Sequence, residues 1–204
     1  LPSANLTFSP NTKSNIRLAY SRVAIRPQFQ ERTSIPYYDP IVAGLILNHG
    51  GIKSSIADNY DLKYEWFPAL GEILSLGVYH KVIYDPIERT AFYTPEGNAE
   101  LNVTNSKKAV LTGVEAEARK SLGFIAPGFL ERLFVSGNVT FNKTQVTAYI
   151  GRFGNVLEDN KTYEADRPMF GQTPWAYNLG LSYEGDRLGL NLAYNAKGNQ
   201  YVQV

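Results

Sequence analysis

The sequence contains no cysteine and only two histidines among its 204 residues. Without cysteine it can form neither a disulfide framework nor a thiolate metal site, and two histidines make a catalytic zinc centre a poor interpretation. No stretch approaches the roughly 18 apolar residues that a transmembrane helix requires. Charged residues are 19% of the chain and the net charge is +1, so no overall field favours nucleic acid as a partner. A membrane barrel stays open, because its strands are short and alternating.

Motifs for catalysis are also missing. The sequence has no Gly-x-Ser-x-Gly elbow and no glycine-rich phosphate loop. Glu115 and Glu117 lie two residues apart, but a glycosidase requires a defined separation of carboxylates across a sugar, and solvated lining is the simpler interpretation. We therefore predict no catalytic residue, no cofactor and no metal ion, and we expect that the protein is not an enzyme.

Residues 59–88 show the pattern on which the rest of the chain is built. Over residues 60–66 aromatic and aliphatic side chains alternate with charged ones, and over residues 74–82 apolar side chains alternate with small or polar ones. A period of two directs the two sets to opposite faces of a sheet. Pro68 and Gly71 mark a turn between the runs, since proline fixes one backbone torsion and glycine permits the other. The segment predicts a long hairpin with one apolar face and one charged face.

The same alternation predicts eight strands in all. They cover residues 4–8 and 15–22, the two arms of the hairpin 59–88, and residues 108–122, 132–146, 173–183 and 188–195. Short turns alternate with three long connections, at residues 23–58, 87–107 and 147–172, and we predict the first of them to be irregular. In an up-and-down meander this order places all short turns at one end and all long loops at the other, as in outer-membrane barrels.

The composition of the two faces agrees with such a barrel. Aromatic residues gather near strand ends, as amphipathic rings do in the headgroup zone of a membrane. The other face is suited to a water-filled lumen because its mixed charges would remain solvated. The charged residues predicted on that face are Asp61, Lys63, Glu65, Lys81, Glu115, Glu117 and Arg119.

Four motifs, in their order and spacing, are similar to a known family. They are Leu-Ala-Tyr-Ser-Arg at 18–22 with Arg-Pro-Gln-Phe at 26–29, Asn-Tyr-Asp-Leu-Lys-Tyr-Glu-Trp-Phe at 59–67, Gly-Val-Glu-Ala-Glu-Ala-Arg-Lys-Ser-Leu at 113–122, and Gly-Gln-Thr-Pro-Trp-Ala-Tyr-Asn-Leu-Gly-Leu-Ser-Tyr at 171–183. Together they resemble the carboxy-terminal half of TonB-dependent outer-membrane receptors of the Bacteroidota type.

The resemblance implies an all-β fold, an antiparallel up-and-down transmembrane β-barrel. In that family about 22 strands surround an amino-terminal plug, so residues 1–204 would be a partial wall, with the plug and other strands absent. The implied function is active import of a scarce nutrient such as a ferric chelate, cobalamin, a glycan or a peptide. The implied partners are outer-membrane lipid, the TonB complex acting through a missing amino-terminal segment, the substrate, and, as a further candidate, a surface lipoprotein. The implied location is the bacterial outer membrane.

Substrate contact is expected on the long loops, which would meet a solute first. The candidates are Arg26, Tyr37, Tyr38 and His49. An ordinary solvated loop histidine is the alternative for His49, and a structural contact with the barrel rim is the alternative for Arg26.

Two other architectures fit the same alternation. Eight strands can close into a small self-contained outer-membrane barrel, and a soluble β-sandwich would bury its apolar faces between two sheets. The exposure of the apolar face distinguishes these architectures, because a soluble sandwich would bury that face and a membrane barrel would leave it exposed to lipid. Burial under a second layer would reject the receptor interpretation at five residues: Leu62, Trp66, Leu76, Leu179 and Leu190.

Overall fold

The computed structural model describes residues 1–33, 35–39, 44–47, 51–93, 99–149, 152–153, 156–157, 162–169 and 171–200. The strands in these ranges are β1 (Ser3–Asn11), β2 (Ser14–Ile25), β3 (Tyr37–Asp39), β4 (Gly44–Leu47), β5 (Ser55–Trp66), β6 (Ile73–Tyr84), β7 (Ile87–Tyr93), β8 (Ala99–Asn105), β9 (Lys108–Ser121), β10 (Leu133–Tyr149), β11 (Arg152–Phe153), β12 (Val156–Leu157), β13 (Thr162–Asp166), β14 (Trp175–Glu184) and β15 (Gly189–Lys197).

Among the residues that the structure describes, helix is confined to short turns. The α-helix α1 spans Phe29–Arg32, and two 3-10 turns span Leu122–Phe124 and Phe129–Arg132. Across the described ranges no helix is both long and apolar enough to cross a membrane.

Eight strands form one antiparallel sheet, which we call the wall. Its order is β1-β2-β5-β6-β9-β10-β14-β15, and β13 pairs with residues 145–149 at the end of β10. The predicted up-and-down antiparallel meander is therefore confirmed. β1 and β15 lie at the two edges of the described wall and do not pair with each other, so the wall is an open segment of a barrel rather than a closed eight-stranded one.

The wall strands run further than the alternation predicted. β5 begins at Ser55 rather than at residue 59, and β10 ends at Tyr149 rather than at residue 146. Pairing continues there because Ser55 remains in register with Ile25 and with its other neighbours along the ladder. The amide ladder thus extends past the point where a clean apolar and polar alternation ends.

Short and long connections are sorted between the two ends of the wall, as predicted. The short turns join β1 to β2, β5 to β6, β9 to β10 and β14 to β15. In the turn between β5 and β6, Gly71 has a φ of +76°, which only glycine adopts readily. We call this edge of the wall the turn end and the opposite edge the loop end.

The two faces of the wall differ as the sequence predicted. The test residues on the apolar face lie open to the surroundings, and no second layer formed by the described part of the chain covers them, which excludes the soluble sandwich. Their exposed fractions are 46% for Leu62, 43% for Trp66, 55% for Leu76, 53% for Leu179 and 61% for Leu190.

A second, smaller sheet lies within the long connections, in the order β3-β4-β8-β7. Its β4 and β8 are parallel, with Ile46 opposite Leu101. Ile46, Leu101 and Val103 are buried together and form its core. The prediction that the connection 23–58 is irregular is therefore wrong in part, because a parallel pairing between distant segments leaves no local periodicity.

Candidate functional site

Charged side chains form a chain of alternating sign across the polar face of the wall. Arg17 Nε on β2 lies 2.7 Å from Glu65 Oε2 on β5. Lys63 Nζ lies 3.8 Å from Glu65 Oε1 and 3.5 Å from Glu117 Oε2 on β9. Because each charge has a neighbour of opposite sign, the face is highly polar while its net local charge stays small.

Arg119 continues this polar face toward the turn end. Its guanidinium pairs with Glu184 on β14 and donates to the carbonyl oxygen of Gly71. The same guanidinium lies 4.2 Å from the centre of the Phe134 ring, a distance suited to a cation–π contact. One side chain thus ties the turn between β5 and β6 to β14, which lies three strands from β6 in the sheet.

Amide side chains extend the polar face beyond the charges. Asn178 Nδ2 donates to Asn138 Oδ1 at 2.6 Å. Asn138 is the ladder neighbour of Glu117, and Asn195 is the ladder neighbour of Asn178. The polar row that begins at Glu65 therefore crosses six strands, which gives the face a continuous set of hydrogen-bond donors and acceptors.

A close ring-to-backbone contact stiffens the middle of the same face. Tyr79 on β6 lies over Gly113 on β9, and a Cβ built on Gly113 would come within 2.3 Å of the Tyr79 ring. Only a residue without a side chain can occupy that position while the ring keeps its place. The pair therefore fixes the packing of β6 against β9 at this level.

A buried ion pair joins two long connections at the loop end. Glu88 on β7 is 0% exposed, and Arg167, which follows β13, approaches it with both terminal nitrogens at 3.0 and 3.1 Å. Ser106 Oγ donates to Glu88 Oε2 at 2.5 Å. This bidentate geometry is the strong, orientation-specific form of an arginine–carboxylate contact, so it holds the β7–β8 hairpin against the segment that leads to β14.

Asn105 fastens a third connection to the same place. Its Nδ2 donates to the carbonyl oxygens of Lys53 at 3.1 Å and Asp85 at 2.8 Å, and its Oδ1 accepts from the Lys53 backbone N–H at 2.8 Å. Ser55 Oγ also donates to the Asp85 carbonyl oxygen, at 2.7 Å. The loop end is thus a set of fixed contacts between segments far apart in the chain.

Comparison with known proteins decides what this arrangement belongs to. The family described as TonB dependent receptor-like, beta-barrel matches the chain over residues 1–204. The chain belongs to this family of outer-membrane receptor barrels. The family is one of transporters and receptors rather than of enzymes, and the resemblance of the four motifs to TonB-dependent outer-membrane receptors is confirmed. A comparison with curated protein sequences finds no significant match.

Solved structures of receptor barrels share the fold. The siderophore receptor PirA from Pseudomonas aeruginosa is 17% identical with a TM-score of 0.63, and the match covers 98% of this chain and 34% of PirA. The copper transporter OprC is 15% identical with a TM-score of 0.63, covering 95% of this chain and 25% of OprC. The iron transporter FrpB from Neisseria meningitidis is 14% identical with a TM-score of 0.55, covering 95% and 26%. The chain spans only about a third of PirA's length and less of the others.

Membership in the TonB-dependent receptor barrels gives the two faces and two ends of the wall their surroundings. In outer-membrane barrels the apolar face meets lipid, the polar face lines the interior, short turns are periplasmic and long loops are extracellular. The row from Arg17 to Asn195 therefore lines the interior of the receptor barrel. The cluster around Glu88 and Asn105 lies on its extracellular side.

The residues predicted to contact a substrate differ in their surroundings. Arg26 is exposed directly after β2. Tyr38 on β3 is 63% exposed, whereas its neighbour Tyr37 packs against the core of the small sheet. His49 lies outside the described residues. Tyr38 and Arg26 keep the accessibility that a solute contact requires, while Tyr37 has a packing role that the sequence did not indicate.

Sequence reasoning missed the buried pair of Glu88 and Arg167. The two residues are 79 positions apart, and neither belongs to a sequence motif that predicts an ion pair. An acidic residue that follows Pro86 and Ile87 at the start of a strand was the only local signal. Partner identity became visible only when the fold brought the two connections together.

Proposed function

We propose that the chain is a wall segment of an active transporter that imports a scarce nutrient across the outer membrane. Residues 1–204 would form part of one barrel, and the plug, the remaining strands and the segment that engages the TonB complex would lie elsewhere in the protein. The observation that carries the proposal is the sorting of the wall: a lipid-exposed apolar face, an ion-paired interior face and a loop end fastened by buried polar contacts.

The interior row has properties suited to such a path. Arg17, Lys63, Glu65 and Glu117 balance one another, so a plug or a passing solute would meet polar groups without a strong field of one sign. Mixed, partly exposed charges remain hydrated, which favours repeated making and breaking of contacts. A face of this kind permits movement of a plug and of a solute more readily than an apolar one.

We infer that the substrate is a small solute in the class of ferric chelates, cobalamins, glycans or peptides. Support comes from the structural neighbours, which are a siderophore receptor, a copper transporter and an iron transporter. First contact is assigned to the extracellular side, at Arg26, Tyr38 and, on sequence grounds, Tyr37 and His49. A surface lipoprotein is a candidate partner for the same side.

Uptake assays on the full-length receptor test the proposal. A strain that lacks the gene, complemented with the receptor, should regain growth on one class of limiting nutrient, and a TonB-deficient background should abolish that gain. Tyr38→Ala should weaken uptake at low nutrient concentration with unchanged surface levels. Tyr64→Ala is the matched control, because Tyr64 is 47% exposed on the lipid-facing side. Uptake that persists without TonB would contradict the proposal.

A further inference from the structure

At the loop end, protein covers the interior face of the wall on β9 and β10. The inward side chains near the end of β10, Thr144, Val146 and Ala148, are all buried. The outward side chain of Gln145 between them is exposed, and Ala109, the ladder neighbour of Val146 on β9, is fully buried. Inward side chains that face only a water-filled lumen stay in contact with solvent, so another part of the chain lies against this face.

The covering part is a segment between β13 and β14, residues 167–169 and 171–172, which we call the ledge. Met169 packs against the buried alanine and valine side chains just named. Nearer the turn end, Gln172 Oε1 accepts a hydrogen bond from Thr144 Oγ1 at 2.7 Å and another from the Met169 backbone N–H at 3.0 Å. Because Thr144 points inward, these contacts place the ledge on the interior side of the wall.

Further contacts hold the ledge at both of its ends. At its start, Arg167 forms the ion pair with the buried Glu88 on β7. At its far end, Gln172 Nε2 donates to Asn142 Oδ1, and Asn142 Nδ2 donates to the carbonyl oxygen of Thr173 at 3.1 Å. Segments that are held by buried contacts and hydrogen bonds open rarely, so we expect the ledge to keep one position.

The thickness of the ledge is large compared with the opening that it enters. Packed layers of protein lie about 10 Å apart, so a segment that packs on the wall through Met169 takes about that depth from the interior. About 22 strands at a spacing of about 4.8 Å and a tilt of about 40° enclose a barrel about 44 Å in diameter. The ledge therefore takes about a quarter of this diameter on the side of β9 and β10.

We propose that the ledge limits the size of the solute that reaches the interior of the barrel from the extracellular side. The proposal rests on the proposed transport function, because it gives the ledge a part in selecting what enters. The interior row from Arg17 to Asn195 balances its charges and so selects little by sign, whereas a fixed projection selects by size. A projection of this kind acts without closing over a bound solute.

Thiol labelling of the full-length receptor on intact cells tests the ledge. The 204 residues contain no cysteine, so Thr140→Cys introduces a single reporter on β10, in register with the inward Glu115 and below the ledge; any cysteine elsewhere in the receptor is replaced first. A small sulfonated maleimide should label this reporter, and a maleimide coupled to a large polyethylene glycol should not. Tyr38→Cys is the control reporter, because Tyr38 is exposed on the extracellular sheet and should react with both reagents.

Two variants release the ledge from opposite sides. Met169→Ala with Gln172→Ala removes the contacts that the ledge supplies, and Asn142→Ala with Thr144→Val removes those that the wall supplies. In either variant the large reagent should gain access to the reporter below the ledge. Gln145→Ala is the matched control, since Gln145 lies at the same height on β10 and points outward, and it should leave the large reagent excluded.

Three results would overturn the proposal. The large reagent could label the reporter while the ledge is in place, or it could stay excluded after the ledge is released from both sides in turn. The small reagent could also fail to reach the reporter even then, which would show that another part of the receptor limits access. Heat-dependent migration on a denaturing gel confirms that each variant is folded. These readouts depend neither on nutrient uptake nor on TonB, so the ledge and the transport function can fail separately.

Discussion

Replacing Arg167 with methionine removes the guanidinium that faces the fully buried carboxylate of Glu88. Taking away one partner of a buried ion pair costs about 3–5 kcal/mol, because a charge remains in a poorly solvated place. The low end applies here, since Ser106 still donates to Glu88 and Arg167 itself is 16% exposed. A loss of about 3 kcal/mol corresponds to a roughly hundredfold rise in the open population of this region.

Hydrogen–deuterium exchange of the full-length receptor measures that population directly. In the Arg167→Met variant, amides of β7 and β8 should exchange roughly a hundredfold faster, given the tenfold change per 1.4 kcal/mol. Amides of β9 near the turn end should keep their wild-type rates. Arg132→Met is the control, because Arg132 pairs with the highly exposed Asp186 and exposed pairs contribute little.

A double replacement tests whether the unpaired buried charge causes the loss of stability. Glu88→Leu together with Arg167→Met removes both charges, and such a pair of changes is often neutral or stabilising. Exchange in β7 and β8 should therefore return toward the wild-type rate. Unchanged exchange in the single variant, or faster exchange in the double variant than in the single one, would refute the view that a buried charge pair fastens the loop end.

Two further predictions concern the wall and its turns. Gly113→Ala places a Cβ within 2.3 Å of the Tyr79 ring and should cost about 1–3 kcal/mol of unfolding free energy, measured by urea unfolding in lipid vesicles. Gly77→Ala meets nothing closer than 3.6 Å and should be nearly neutral, so equal losses would contradict this account. The hydrogen bond from Lys120 holds the pKa of Glu72 below its ordinary value of 4.5. A lowered pKa in the folded state adds stability above pH 4.5 that disappears as the pH falls through the lowered value. The difference in unfolding midpoint between wild type and Glu72→Gln should shrink in that acidic range, and a difference that grows would refute it.

The wall could be predicted from the sequence because apolar and polar residues alternate within each strand, and this alternation indicates two different environments. In residues 60–66 the alternation alone predicts one apolar face and one charged face. That signal weakens toward the loop end, where Asp58 and Asn59 follow each other, and strand β5 nevertheless continues to Ser55. Hydrogen bonds of the backbone do not require alternating side chains, so the strand ends could not be read from composition.

The loop end could not be predicted for a different reason. Its sheet depends on the pairing of Ile46 with Leu101, and its ion pair joins Glu88 to Arg167, each across a long stretch of chain. Periodicity reports only on neighbours in sequence. Tyr37 illustrates the consequence, since the same aromatic residue suits a solute contact and a small hydrophobic core, and only the fold distinguishes the two.

The uninterrupted register of the wall limits how this protein can change in length. In the described part, no register shift is found in the main pairings from β2 through to β15. Deleting one residue of β9 before Glu115 would move every following side chain of that strand to the opposite face of the sheet. Glu115 would then face the lipid and Ala116 would face the water-filled interior. Insertions and deletions in related genes should therefore accumulate in the connections, and those inside strands should come in pairs.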